Sequence, residues 1–345
     1  MNKFRIGVIL LAILILITSC LQAASEDTTP LFPIEVAEKM GYINKEGKIV
    51  IKPKFEFVYE FSEGLAKVVV NEKYGYIETS GKFIVQPIYD YVQDYFSESL
   101  ASVKLGEKIS IIDKKGKVVF ELMPGFGIGN FHDELAWIND SKRGYKRGYI
   151  NKKGQIVIEP KYPEVRDFSE GLAAVEVKGQ GDPYDYRFID KKGRFAIEAS
   201  YNDCGKFSQG LAWVMSGYKH NYPTEDNYRE VWYINKKGED VFKQMFEEAK
   251  DFQEEFAAVR KDGKIGYIDL TGKMLIKPQF EFGESFSEGL AAVCLNNKWG
   301  FINTKGKRVI KPIYKEVNNF KNSLAYVRIG DKWLYINKEG KTIWP

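Results

Sequence analysis

The sequence predicts an all-β tandem array of short antiparallel meanders, and three observations carry that prediction. One unit recurs along the chain, with Gly41 and Gly75 opening two copies 34 positions apart. Nine turns with a glycine in their fourth position follow one another from Gly47 to Gly340. The composition, with 21 Tyr, 23 Phe and 31 Gly in 345 residues, favours strands and turns over helices.

The unit is legible element by element. Gly41-Tyr42-Ile43 is a short strand, and it returns as Gly75-Tyr76-Ile77, Gly148-Tyr149-Ile150, Gly266-Tyr267-Ile268 and Gly300-Phe301-Ile302. Asn44-Lys45-Glu46-Gly47 has the residues of a type I turn, a side-chain acceptor first and glycine fourth. A second strand, Lys48-Ile49-Val50-Ile51, ends at Pro53, which cannot donate to a ladder and suits a strand exit. Phe61-Ser62-Glu63-Gly64 is a second turn and Leu65-Ala66-Lys67-Val68 a third strand, which returns through Asn71-Glu72-Lys73 to the next unit. The Glu of this turn recurs in most copies, as a backbone cap would; a catalytic carboxylate is needed once or as a pair.

A single unit is too small to fold alone. Its few apolar side chains, at about 1.5–3 kcal/mol each, face a backbone ordering cost of about 1–2 kcal/mol for every residue. Stability is therefore expected from stacking on neighbours, as in other repeat arrays. Nine pairs of the first two strands but eight clear third strands favour an open, twisted, solenoid-like stack of eight or nine units. The alternative is a closed propeller-like ring, with Pro33-Ile34-Glu35-Val36-Ala37 as the ninth third strand.

These blocks resemble the WG-repeat (KWG-repeat) family, whose pattern stands nearly intact at Trp299-Gly300-Phe301-Ile302-Asn303-Thr304-Lys305-Gly306-Lys307. Met40, Tyr74, Arg147 and Ile265 replace the tryptophan elsewhere. The resemblance implies an interaction module of bacterial surface and envelope proteins with no shared chemistry.

The N-terminus reads as an address. Lys3 and Arg5 precede an apolar run from Ile6 to Ile17, too short to span a membrane, then Thr18-Ser19-Cys20. Ile17-Thr18-Ser19-Cys20 resembles the lipobox of bacterial lipoproteins, which implies cleavage before Cys20 and lipidation of its sulfur. The expected organisation is a signal peptide at 1–19, a lipidated Cys20 with a flexible tether at 20–37, and a repeat domain at 38–345. Leu21, in place of Asp, favours the outer membrane; the membrane face is left open.

Without Lys3 and Arg5 the chain has 49 basic and 47 acidic residues, the lysines scattered through turns. Nucleic-acid binding is not expected. His132 and His220, the two histidines, lie far apart, and no metal spacing, P-loop or nucleophile elbow is present, so no metal, cofactor or catalytic residue is assigned. His132 stands at the Ser position of a turn. Cys204 and Cys294 lie two units apart and read as small buried hydrophobes.

The copies differ in one kind of connection, from the third strand of a unit to the first strand of the next. From its Val or Ile to the next strand aromatic the distance is 8 residues in most copies, but 11 from Ile138 to Tyr149, 13 from Val175 to Phe188 and 19 from Val214 to Tyr233. Equivalent loops share an edge, so these three make one patch. It contains Arg143, Tyr145, Lys146, Asp182, Tyr184, Asp185, Tyr186, Tyr218, His220, Tyr222 and Tyr228. Trp137 and Trp213 stand nearby on strands, where other copies have Lys67, Ser102 or Ala174. Tyrosines of this kind supply large contact area with a polar tip. The expected binding residues are Trp137, Tyr145, Tyr184, Tyr186, Trp213, Tyr218, His220, Tyr222 and Tyr228, against the plainer reading of drifted loops and repacked tryptophans. The expected function is a non-enzymatic envelope lipoprotein presenting a binding or scaffolding surface to a protein or glycan. A spacer without a ligand and a carbohydrate-active enzyme are the alternatives.

Overall fold

The computed structural model of the chain describes residues 30–177, 185–216 and 230–345. Within them lie nine antiparallel sheets of three or four strands, blades 1 to 9 in chain order. Blade 2 sets the pattern: a short first strand Phe57–Val58, a second Leu65–Val70, a third Lys73–Glu78 and a fourth Phe83–Tyr89, side by side in that order. Blade 1 has Leu31–Val36, Lys39–Asn44 and Ile49–Phe55 as its second to fourth strands. Blades 3 to 9 begin near residues 91, 126, 165, 203, 248, 282 and 316.

The turns form as their residues dictate. The Asn44 side-chain oxygen accepts from Glu46 N at 3.2 Å and Lys48 N at 2.9 Å, and Gly47 closes the turn in the left-handed region at φ 81°. Gly41 answers a different need. A Cβ there would lie 2.4 Å from the Ile51 carbonyl oxygen and 2.7 Å from Pro53 N, because the fourth strand bulges inward at that point. The Gly-Tyr-Ile and Lys-Pro blocks are thus two halves of one contact.

The core lies between blades. Among the described residues nine apolar clusters occur, and each joins one blade to the next. The ninth overturns the open stack expected from the strand count. Phe32, Ile34 and Ile43 of blade 1 pack on Leu324, Tyr335, Ile343 and Trp344 of blade 9, and the Phe32 and Tyr335 rings meet edge-on at 5.5 Å. The Cβ position of Gly47 abuts the Ile343 oxygen at 2.6 Å, as that of Gly81 abuts Ile51 at 3.3 Å one blade on. Lys321 Nζ of blade 9 reaches Glu60 Oε2 of blade 2 at 2.6 Å.

The protein is therefore a nine-bladed ring, a β-propeller closed by face-to-face packing of its ends. The strand count misled because the ninth second strand, Leu31–Val36, has no Phe-Ser-Glu-Gly block ahead of it. It pairs with Lys39–Asn44 over its full length. Among the described residues the ring thus takes in Leu31–Val36, inside the segment expected to be tether.

Recurring side chains stitch the blades together at the edge carrying the two tight turns. Tyr42 donates from its hydroxyl to Tyr59 O at 2.7 Å, Tyr233 to Lys250 O at 2.7 Å and Tyr267 to Glu284 O at 2.9 Å, each 17 positions on. Ser169 Oγ donates to Phe207 O at 2.7 Å, and Ser208 Oγ to Phe252 O at 2.6 Å. Glu63 accepts from Ser99 N at 2.9 Å, Glu170 from Gly210 N at 3.0 Å and Glu288 from Ser323 N at 2.9 Å. The Glu of each turn caps the following blade's turn, while its own backbone sits at positive φ, 50° at Glu63.

Candidate functional site

The opposite edge carries the connections between second and third strands, and it divides the ring into two parts. In blades 1, 2, 3, 7, 8 and 9 the connection is two residues, such as Asn71-Glu72, Asp262-Gly263 and Asn296-Asn297. Four of these hairpins are closed by a carboxylate. Glu56 accepts from Asn71 N at 2.8 Å, Asp90 from Gly106 N, Glu247 from Gly263 N at 3.1 Å and Glu281 from Asn297 N at 3.0 Å. Those backbone bonds hold the Glu56 and Glu281 carboxyls below the ordinary glutamate range. Asp90 is lowered too, first by Lys73 and then by Gly106 N.

Blades 4, 5 and 6 have no such hairpin. Their connections run over 141–145, 177–185 and 217–229. By position, Pro163 and Asn202 stand in blades 5 and 6 where blades 7 and 8 have Glu247 and Glu281. In blade 4, buried Asp140 accepts from Lys142 N at 2.9 Å and starts a single 3₁₀ turn, Ser141–Arg143, with Arg143 Nε 3.4 Å from Asp140 and its Nη1 3.3 Å from Glu159. This holds Tyr145 at the tip, 65 % exposed and at φ 59°.

The other expected residues are placed as follows. Trp137 is half-buried, with the Arg147 guanidinium 5.1 Å from its ring centre and Glu164 paired to Arg147. Tyr186 is buried in the cluster between blades 5 and 6, under the Arg166 guanidinium at 4.9 Å, which is paired with Asp203. Trp213 is half-buried, its indole beside Asp251, whose carboxyl is pushed up by burial. Both tryptophans sit over a glycine of the adjoining strand, since a Cβ on Gly129 would be 2.1 Å from Trp137 Nε1 and one on Gly205 2.4 Å from Trp213 Nε1. Each aromatic is thus held in its own blade interface, apart from the other two. Cys20, Tyr184, Tyr218, His220, Tyr222 and Tyr228 lie outside the described residues.

Sequence reasoning missed this arginine and carboxylate layer across blades 4 to 6. Arg147, in the place of the repeat tryptophan, was its visible sign. His132, at a turn Ser position, lies 3.4 Å from Asp167, whose carboxyl is raised by burial and drawn back by the imidazole. Cys204 and Cys294 are both free and buried.

One solved structure agrees with this architecture. A crystal structure described as a eukaryotic initiation factor is similar over 91 % of this chain and 95 % of its own, with TM-score 0.62 and 10 % identity, a likeness of fold alone. Kluyveromyces lactis Hsv2p aligns over 69 % of this chain and 88 % of its own, with TM-score 0.41 and 14 % identity. Puromycin hydrolase aligns over 93 % of this chain and 54 % of its own, with TM-score 0.37 and 9 % identity. No curated protein matches the sequence. The family described as WG containing repeat matches seven times, over residues 40–74, 74–108, 148–180, 186–219, 233–264, 265–299 and 299–333. Each match runs from the third strand of one blade toward that of the next, and together they cover most of the ring. The chain belongs to the WG containing repeat family.

Proposed function

We propose that the protein is a lipid-anchored component of the bacterial cell envelope that holds a protein or glycan partner on the long-loop edge of blades 4 to 6, and that it works by binding, without chemistry of its own. One observation carries the reading. The three lengthened connections stand on consecutive blades of a ring whose other hairpins are two residues long, so the variation is gathered on one sector of one edge. Loops on a rigid scaffold are where binding residues concentrate, and Tyr145 is an exposed aromatic at the described border of that sector. The recurring glutamates, the obvious acid and base candidates, are engaged with backbone N–H groups of neighbouring turns. The anchoring rests on Ile17-Thr18-Ser19-Cys20.

Replacing residues 217–229 by Asn-Glu, the blade 2 hairpin, tests the site. Folding is expected to survive, by circular dichroism and melting temperature, while partner capture from envelope extract and glycan-array signal are lost. Retained capture contradicts the assignment. Cys20→Ala tests the anchor, and is expected to move the protein from the membrane to the soluble fraction.

A further inference from the structure

Several neighbouring pairs of blades hold a cation of their own chain, set among aromatic rings and paired with a carboxylate of the later blade. Between blades 2 and 3 the buried Lys67 ammonium lies 4.1 Å from the Tyr59 ring centre, 4.9 Å from that of Tyr74 and 5.5 Å from that of Tyr91, and 2.7 Å from Asp94 Oδ1. Between blades 4 and 5, Arg147 lies over Trp137 and pairs with Glu164; between blades 5 and 6, Arg166 lies over Tyr186 and pairs with Asp203. A buried charge needs a partner, and an aromatic face adds attraction for a cation. These interfaces are built to hold one positive group each.

Blades 8 and 9 repeat the receiving half of that arrangement without the cation. Strand register identifies the matching positions. Ala292 pairs with Phe301 as Lys67 pairs with Tyr76, and Trp299 pairs with Tyr314 as Arg147 pairs with Tyr162. Glu284 N donates to Ala292 O as Arg166 N donates to Ala174 O. The positions that supply Lys67, Arg147 and Arg166 are therefore Ala292, Trp299 and Glu284 in blade 8, and none of them is basic.

A hollow of about 420 Å³ opens between these two blades, and Glu284, Trp299, Glu316, Asn318, Asn319 and Trp333 stand in its wall, which includes no lysine or arginine. Its volume falls in the range of about 300–1,000 Å³ usual for ligand clefts. Four of these residues are the counterparts of the groups around Lys67: Glu284 stands where blade 2 has Tyr59, Trp299 where it has Tyr74, and Glu316 and Asn319 where blade 3 has Tyr91 and Asp94. Both indoles are held in place. Trp333 stacks on Tyr326 at 4.8 Å with the rings 14° apart, and Trp299 lies 6.4 Å from Phe282 and packs into the cluster between the blades. Glu284 is paired with Lys250 and Glu316 with Arg328, two cations outside the hollow. Part-exposed pairs of this kind contribute little, and each carboxylate keeps lone pairs for a further donor.

We propose that the hollow between blades 8 and 9 binds an alkylammonium group from outside the chain, which takes the part that Lys67 plays between blades 2 and 3. The Trp299 and Trp333 rings receive its apolar and charged surface, Glu284 and Glu316 balance its charge, and the amides of Asn318 and Asn319 add neutral acceptors. The same wall disfavours an anion. The site stands apart from the long loops of blades 4 to 6 and does not rest on them.

Saturation-transfer NMR on the full chain in non-ionic detergent tests the proposal with Nα-acetyl-lysine amide, tetramethylammonium and Nα-acetyl-norleucine amide, the last having a four-carbon chain and no charge. Both cations are expected to bind saturably, and the norleucine amide at least tenfold more weakly. The tighter of the two cations distinguishes a lysine of a partner protein from a small quaternary amine. Trp333→Leu is expected to weaken cation binding about tenfold and Glu316→Gln about fivefold, with melting temperatures near that of the unaltered chain. Ala292→Lys, which gives blade 8 the side chain blade 2 has, is expected to fill the hollow from within and weaken binding at least tenfold. No saturable binding of either cation overturns the proposal, as does equal binding of the norleucine amide or cation binding unchanged by both Trp333→Leu and Glu316→Gln.

Discussion

The two edges of the ring use the same strands and obey different rules. At the turn edge the repeat is nearly uniform, because each recurring residue there serves the next blade: the tyrosine hydroxyl, the serine Oγ and the glutamate all end on a neighbour's backbone. At the loop edge the connections close within their own blade, as Glu281 does on Asn296 and Asn297. A connection that serves only its own blade can lengthen without disturbing the ring. The difference teaches why repetition marks the fold and departure from it marks the candidate site.

Substitutions at the turn edge should therefore cost stability, and those at the long loops should cost binding. The largest loss is expected for Phe252→Ala, a fully buried ring against Tyr233, at about 4 kcal/mol by denaturant unfolding. Two glycines sharpen the point. Gly41→Ala drives a Cβ into the Ile51 carbonyl and should cost about 3 kcal/mol, whereas Gly64→Ala meets nothing within 4 Å and carries only the strain of φ 84°, about 1 kcal/mol. Ser208→Ala removes one bond between blades and should cost about 1 kcal/mol.

Glu281→Gln, at a capped hairpin of the loop edge, should cost less, and its effect should depend on pH. The folded carboxyl titrates below its ordinary value, so its contribution is complete above the unfolded glutamate pKa of about 4.3 and fades as pH falls through the lowered folded value. The stability difference between Glu281→Gln and the unaltered chain should shrink over that acid range. Smallest of all, Tyr145→Ala should change stability by less than about 0.5 kcal/mol while reducing partner capture. A melting change at Tyr145 as large as that at Ser208 would erase the distinction between the edges.

Much of this was legible in the sequence. Asn44-Lys45-Glu46-Gly47 specified its turn through local hydrogen bonds, and the unit boundaries followed from it. The glutamate of the second turn read correctly as a backbone cap, although only the folded ring shows that it caps a neighbour. Closure was legible only as the alternative reading, with Pro33-Ile34-Glu35-Val36-Ala37 as the ninth strand of its kind; what decides it is Phe32 and Ile34 meeting Leu324 and Tyr335 across nearly the whole chain, and no local pattern records that distance. The partners of Trp137 and Trp213 were hidden for the same reason: what admits each indole is an absent side chain, at Gly129 and Gly205.

Ring closure fixes how all nine blades are arranged, and one crosslinking measurement addresses it directly. Zero-length carbodiimide coupling of the monomer, read by peptide mass spectrometry, should join Lys321 to Glu60, 2.6 Å apart across the seam, along with Lys338 to Glu288 and Lys236 to Glu170, at 3.1 and 3.0 Å, elsewhere in the ring. Recovery of the latter two without the first would mean that blades 9 and 2 stand at opposite ends of an open array, contrary to the closed ring.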